Sequence, residues 1–360
     1  MRKISVKNLK VGMTIAQNIY SPSGSIVVPA NTAVQQVHID RLRGLGIREV
    51  VIDDPRVRDL ELSESISEKT RTEALAVLRL VFDAVARSTR LEEIDIPYSD
   101  VRRIVLEIES DLASNKSDIV TLIDCPSPEE YLEIHSLNVA ILSIMVAKRA
   151  GLGSRTMEVG IGALLHDIGM PLIPREIRLK NGPLTDEERE KVRKHPALGL
   201  AILRQVSGSS PYARAIVYQH HERHDGSGYP RGLRGSEIDP LARIVSVADT
   251  YTAMTEPRPY RDRLSPQEAY DYLMSAAGFE FDHQTVQGTL LYIAPYPVGT
   301  MVKLNTGEKG VVTHVSKGLG TRPVVRVFYD PEGRALPKTY DLDLSAAENQ
   351  TRLIVEVCDD

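Results

Sequence analysis

At 360 residues and 42% apolar content, the chain can fill the cores of two or three domains. Its formal charge of −5 excludes a protein that coats nucleic acid polymers, a task that needs many Lys and Arg against phosphate. No stretch approaches the roughly 18 uninterrupted apolar residues of a membrane span, and no apolar run follows the charges of MRKISVKNLKVG, so the expected setting is the cytoplasm, with no membrane contact. Cys125 and Cys358 lie far apart, match no metal or redox spacing, and are expected to be reduced thiols.

Residues 1–58 read as a small α+β unit. MTIAQNIYSPSGSIVVPANTAV alternates and turns like a hairpin across Ser21 to Gly24, and HIDRLRGLGIREVVID reads as a short helix, a glycine turn and a strand. His38 belongs at the start of that helix, and Asp53 and Asp54 follow the strand.

Residues 59–124 form a helical connector. One apolar stripe runs through Ala74, Leu75, Leu78, Val81, Phe82 and Val85, and a second through Val101, Ile104, Val105, Ile108 and Leu112. Ser99 or Asp100 is the expected cap of the second helix. Residues 125–292 are almost wholly helical in pattern and hold seven of the nine histidines. From 293 to 360 the texture returns to strands, with GTMVKL, KGVVTHVS and RPVVRVFY separated by turn-rich segments, which predicts a small antiparallel barrel or sheet carrying His314.

Within the helical block a series of polar residues stands among apolar ones: His135, His166 with Asp167, His195, His220 with His221, and Asp249. The intervals run from 25 to 31 residues, about one helix plus its turn, so successive helices of a bundle would each deliver ligands to one interior point. His135 shares a helix face with Val139, Leu142 and Val146. Gly162 and Ala163 precede His166 and Asp167 by one turn and would leave room beside them, with Gly169 as the expected helix stop. Thr185 and Glu188 form a capping box, and His195 is expected at a cap position with Pro196 opening the next helix.

Asp249, among Val245, Ala248 and Ala253, would be costly to bury without a cation. Consecutive helix residues point about 100° apart, so His220 and His221 are expected to serve two different ions. Paired metals about 3.5 to 4 Å apart, bridged by a carboxylate and a water, are a standard arrangement for phosphoester hydrolysis. Five imidazoles and two carboxylates without thiolate suit manganese or iron better than a structural zinc site, with zinc left open.

The segments HSLNVA, LLHDIG, HPALG, HHERHDGSGYPRG, LARIVSVAD and RPYR, in that order, resemble the HD-GYP family of HD-domain metal-dependent phosphohydrolases across roughly residues 125 to 290. The resemblance implies an all-α HD-type bundle, which in this multidomain chain would lie between the α+β and all-β units read from the pattern. It also implies hydrolysis of cyclic di-GMP, or a related cyclic dinucleotide, to pGpG or GMP by a metal-bridging hydroxide. Carried over by position, the metal ligands would be His135, His166, Asp167, His195, His220, His221 and Asp249, with Asp167 the bridge and Asp167 and His166 at the centre of the chemistry. Two or three divalent ions, iron or manganese, are implied. Gly228, Tyr229 and Pro230 would shape the substrate site, and Arg258 and Arg261 would meet phosphate or guanine, which suits the paired donors of guanidinium.

Three positions depart from the family pattern. Tyr131 stands where three-metal members have glutamate, which favours two ions; Met170 replaces the lysine of HDIGK; and Thr252 replaces an aspartate. The last two remove polar groups from the substrate side and motivate an alternative, a signalling receptor or scaffold that binds a cyclic dinucleotide or a protein partner without turnover. A general HD phosphohydrolase acting on another nucleotide is a third reading, against which the GYP loop speaks.

Overall fold

The computed structural model describes residues 1–20, 26–47, 49–60, 64–115, 117–123, 130–256 and 264–358. The turn expected across Ser21 to Gly24, together with Cys125, Arg258 and Arg261, lies outside the described residues. Two compact units divide the chain: Glu64–Ile293, and a second built jointly from Met1–Ser63 and Ala294–Asp360.

In the jointly built unit, β1 (Arg2–Ser5) pairs antiparallel with β4 (Glu49–Ile52), and β2 (Ile19–Tyr20) pairs with β3 (Ile26–Val28). Between β3 and β4 in the chain lies α1 (Gln36–Gly44), whose third residue, His38, accepts from the backbone N–H of Gln35 at 3.2 Å. Alternation brings Ile4, Val50 and Ile52 to one side, where they bury with Ile15, Val28 and Leu42. The C-terminal strands β5 (Met301–Leu304), β6 (Lys309–His314), β7 (Val324–Tyr329), β8 (Ala335–Asp343) and β9 (Ile354–Val357) form an antiparallel sheet in the order β8-β7-β6-β5-β9. Val57 and Leu60 from the first segment bury against Met301, Val311 and Phe328 of the sheet. Two segments of about 60 residues thereby share apolar surface that each would expose alone.

An ion cluster fixes this seam. Asp54 accepts from Arg2 Nε at 2.9 Å and from Arg56 at 2.9 and 2.7 Å, and the Arg56 guanidinium lies 4.2 Å above the Phe328 ring. Burial alone would push the Asp54 carboxyl up, but its bonds from Arg56 and Arg2 hold it at about 2, below its ordinary 3.8. A depressed carboxyl stabilises the fold fully above the unfolded value, so this contribution is present at neutral pH, declines as pH falls below about 4 and is lost through about 2. Asp54→Asn would remove the carboxylate charge that both Arg2, only 3% exposed, and Arg56 meet. We expect a loss of about 2–4 kcal/mol in denaturant unfolding of the full chain at pH 7, shrinking towards zero near pH 2.

The helical unit begins with α2 (Glu68–Arg87), capped by the Ser67 hydroxyl, and α3 (Tyr98–Ser114). Both expected stripes are buried in one cluster, apart from the half-buried Leu75. The second helix starts one residue before the expected cap: Pro97 precedes Tyr98 with no side-chain cap, since a fixed proline φ already suits a helix entry. Next, α4 (Tyr131–Arg149) is apolar on nearly every face, and Ile134 through Ala147 are all buried. It is the one helix among the described residues long and apolar enough to cross a membrane, and it forms the centre of the helical core.

Around it lie α5 (Arg155–Leu164), the short α6 (Arg175–Arg178), α7 (Asp186–Val192), α8 (His195–Gln205), α9 (Pro211–Gln219), α10 (Pro240–Thr255), α11 (Pro266–Ala276) and α12 (His283–Leu290). Ser210 caps α9 by accepting from the Ala213 N–H, and Asp239 caps α10 by accepting from that of Leu241. Gln219, the last residue of α9, accepts from the Asp239 N–H at 2.7 Å. That bond ties the end of one site-bearing helix to the start of the next.

Candidate metal centre

A helix leaves the carbonyls of its last turn without partners inside it. His166, His195 and His220 each stand just past such an end, those of α5, α7 and α9. Each donates its Nδ1–H to the carbonyl three residues back: Ala163 at 2.8 Å, Val192 at 2.7 Å and Val217 at 2.9 Å. A carbonyl only accepts, so the proton sits on Nδ1 and the Nε2 lone pair turns inward. The negative ends of these helices also favour a cation there.

The seven residues of the sequence series come together in two groups whose donor atoms lie within 4.8 Å of one another: Asp167, His195, His220 and His221 in one, His135, His166 and Asp249 in the other. The Asp167 carboxylate faces both. Its Oδ1 lies 3.1 Å from His195 Nε2 and 4.0 Å from His220 Nε2, while its Oδ2 lies 3.5 Å from His166 Nε2. Asp249 does likewise, with Oδ1 at 3.0 Å from His135 Nε2 and Oδ2 at 3.6 Å from His221 Nδ1.

Two observations test whether this cage fits cations. The Nε2 atoms of His195 and His220 are 3.2 Å apart, although both rings carry their proton on the opposite nitrogen. Two lone pairs at that distance repel unless they share a positive charge. In addition, His166 Nε2 is fully buried with no hydrogen-bond partner among the described residues, a costly arrangement for a polar atom without a ligand. Imidazole and carboxylate donors without thiolate suit a divalent transition ion.

The electrostatics divide along the same line. Burial holds the imidazoles of His195, His220 and His221 below their usual range, His220 to about 3, so they are neutral bases. Burial also opposes charge on His135, but Glu256 and Asp249 on either side raise it to about 10. Asp167 and Asp249 would be pushed up by burial, yet the imidazoles around them keep both well below the carboxylate range.

Several local expectations need correction. His220 and His221 lie in the same group, their ring centroids 4.1 Å apart. Backbone directions about 100° apart do not keep the rings apart, because His220 still has helical φ −60° and ψ −19° and the two imidazoles lean together beyond their Cβ atoms. Gly169 does not stop a helix: α5 ends five residues earlier, and Gly169 has φ −80°. Its role is close approach, since a Cβ there would stand 2.1 Å from the His195 carbonyl oxygen. The room beside Gly162 is filled by Ile216 of α9. His195 is the first residue of α8, with Lys194 at the cap position.

The loop after His221 is tied down by residues that sequence reading passed over. Glu222, 2% exposed, accepts from the N–H groups of Arg231 at 2.8 Å and Leu233 at 2.9 Å, so it spans the loop from inside. Arg223 donates to Ser246 at 2.7 Å on α10 and lies over the Phe281 ring. Gly228 packs so closely that a Cβ would be 2.4 Å from the His221 carbonyl oxygen, which brings the Tyr229 ring to 4.7 Å from that of His221. Pro230 follows a cis peptide bond. The sequence signal for Glu222 was its place directly after two histidines in a loop with four glycines. Glu222→Gln puts an amide N–H against one of these two donors; amide exchange at Arg231 and Leu233 is expected to speed up roughly 30-fold, about 2 kcal/mol of local opening.

Tyr131 stacks on the His135 ring, centroids 5.0 Å apart and 13° from parallel. Met170 is half-buried at the turn after Asp167, and its N–H donates to the Asp167 carbonyl at 2.8 Å. Thr252 is fully buried, one turn past Asp249, and its hydroxyl has no partner among the described residues.

Residues 127–285 match the HD domain family, and residues 301–360 match a KOW domain associated with the HD domain. A cyclic di-GMP phosphodiesterase of Pseudomonas aeruginosa is 30% identical over 89% of this chain and 82% of its own length. A cyclic di-GMP phosphodiesterase of Thermotoga maritima is 39% identical over 43% of each chain. A 3′3′-cGAMP-specific phosphodiesterase of Vibrio cholerae is 39% identical over 39% of this chain and 32% of its own. The chain thus spans most of the first relative and less than half of the other two.

Proposed function

The chain belongs to the HD-GYP family of HD domains, and on that premise we propose that it is a metal-dependent phosphodiesterase that hydrolyses cyclic di-GMP. The observation that carries this reading is the pair of facing donor groups with Asp167 directed at both. His135, His166 and Asp249 would hold one divalent ion, and His195, His220 and His221 the other, with Asp167 between them. Two such ions, iron or manganese, would acidify a shared water and neutralise charge on the phosphorus oxygens.

The chain's own part is to orient and to exclude. The Nδ1–H bonds to main-chain carbonyls fix three rings before any ligand arrives, so little reorganisation is left for the reaction. The Gly228–Pro230 turn, held by Glu222, would form one wall of the substrate site, with Tyr229 beside His221. Arg258 and Arg261 are proposed to hold phosphate or guanine. Water adds to phosphorus, one phosphodiester P–O bond breaks, and the released 3′ oxygen takes a proton; pGpG results, and a second cut gives GMP.

The test is incubation of the manganese- or ferrous-iron-loaded protein with cyclic di-GMP and, in parallel, 3′3′-cGAMP, with products separated by chromatography. Conversion of cyclic di-GMP to pGpG or GMP is the expected result. Cyclic dinucleotides left intact by protein that carries its metals would refute the reading. Tight binding without conversion would favour a receptor, the role towards which Met170 and Thr252 lean.

A further inference from the structure

His135 differs from the other buried imidazoles. It lies inside α4, where the main-chain carbonyls around it serve the helix itself. The helix-end carbonyl that fixes His166, His195 and His220 is therefore not available to it. Its Nδ1 instead faces Glu256 Oε2 at 2.8 Å, and its Nε2 faces Asp249 Oδ1 at 3.0 Å. Asp249 and Glu256 are seven residues apart, about two turns, and so share one side of α10 and its end.

We infer that Glu256 is a positioning residue for the ion bound by His135, His166 and Asp249, an assignment that rests on the metal reading above. Glu256 is 5% exposed, and its second oxygen accepts from Asn138 Nδ2 at 2.7 Å. Asn138, one turn after His135 on α4, is itself locked by a reciprocal pair with the main chain of Ile123, both bonds 2.8 Å. The carboxylate is thus clamped from below and can only accept from above. It keeps the proton on His135 Nδ1, leaves the Nε2 lone pair for the ion, and prevents the ring from turning about its Cβ–Cγ bond to present the other nitrogen. A carboxylate behind a ligating imidazole also raises its basicity, and its loss elsewhere costs about 10–100-fold in metal affinity.

Glu256→Gln is the diagnostic change. Both Glu256 oxygens accept, whereas glutamine offers one acceptor and one N–H₂, so either His135 Nδ1–H or Asn138 Nδ2–H₂ must meet a donor. Asn138→Ala keeps the charge and removes the clamp, and serves if the first variant does not fold. Manganese binding to the full chain would be followed by calorimetry and by metal content after dialysis against graded chelator. Wild type is expected to hold two ions. Glu256→Gln should weaken one of them about 10–100-fold and leave the other unchanged, and Asn138→Ala should weaken the same ion less. Both variants holding both ions as tightly as wild type would overturn the inference, as would equal weakening of the two, which marks a general loosening. Wild-type protein that binds no manganese would instead refute the metal reading itself.

Discussion

Asp167→Asn is expected to cut hydrolysis of cyclic di-GMP by at least about 10³-fold, some 4 kcal/mol of transition-state stabilisation, while leaving the fold intact. Asp167, like Asp249, has an oxygen directed at each donor group, at 3.1 Å from His195 Nε2 and 3.5 Å from His166 Nε2. Asparagine matches its shape but offers a single neutral oxygen, and its N–H₂ would face a site built for a cation. Loss of the bridge would also remove the negative charge that balances the ions, so the variant should retain less manganese than wild type. Steady-state rates together with metal content check this, and a variant with near wild-type turnover would show that Asp167 does not join the two groups.

Gly169→Ala is expected to be the most damaging single methyl in the helical unit. The added carbon would stand 2.1 Å from the His195 carbonyl oxygen and 2.8 Å from the Gly199 nitrogen. Both are main-chain atoms at the start of α8, so no side-chain rotation relieves the overlap. The turn carrying His166 and Asp167 must then move away from α8, which carries His195. We expect a stability loss of about 3 kcal/mol or more, towards the upper end of overpacking costs, together with weaker retention of metal. Thermal unfolding of the variant with and without manganese measures both effects. An unchanged melting temperature would mean that the two main chains do not approach this closely.

The histidine series was legible because its spacing is a property of the chain. One helix and a turn occupy about 25 to 31 residues, so repeated ligand-type residues at that interval point to one interior locus. What spacing cannot express is where a side chain leans beyond its Cβ. Helical geometry sends His220 and His221 to different ions, yet their rings lean together, centroids 4.1 Å apart, and both join one group. Gly169 looked like a stop signal because glycine often is one, whereas its function is contact with a segment about 26 residues further on, which no local pattern encodes.

Contacts between distant segments were the least legible. Glu256 lies 121 residues from His135, and nothing around either residue names the other. Val57 and Phe328, which bury together, belong to opposite ends of the sequence. By contrast, capping boxes and stripes are local, and Thr185 with Glu188 forms the expected box at α7.

The central claim, that two facing groups of imidazoles and carboxylates each hold a metal ion, is tested most directly by anomalous diffraction from manganese-loaded crystals at the manganese edge. Two peaks are predicted, one among His135, His166 and Asp249 and one among His195, His220 and His221, with Asp167 between them. A map with no peak at these residues, or with a single ion bound elsewhere, would contradict it.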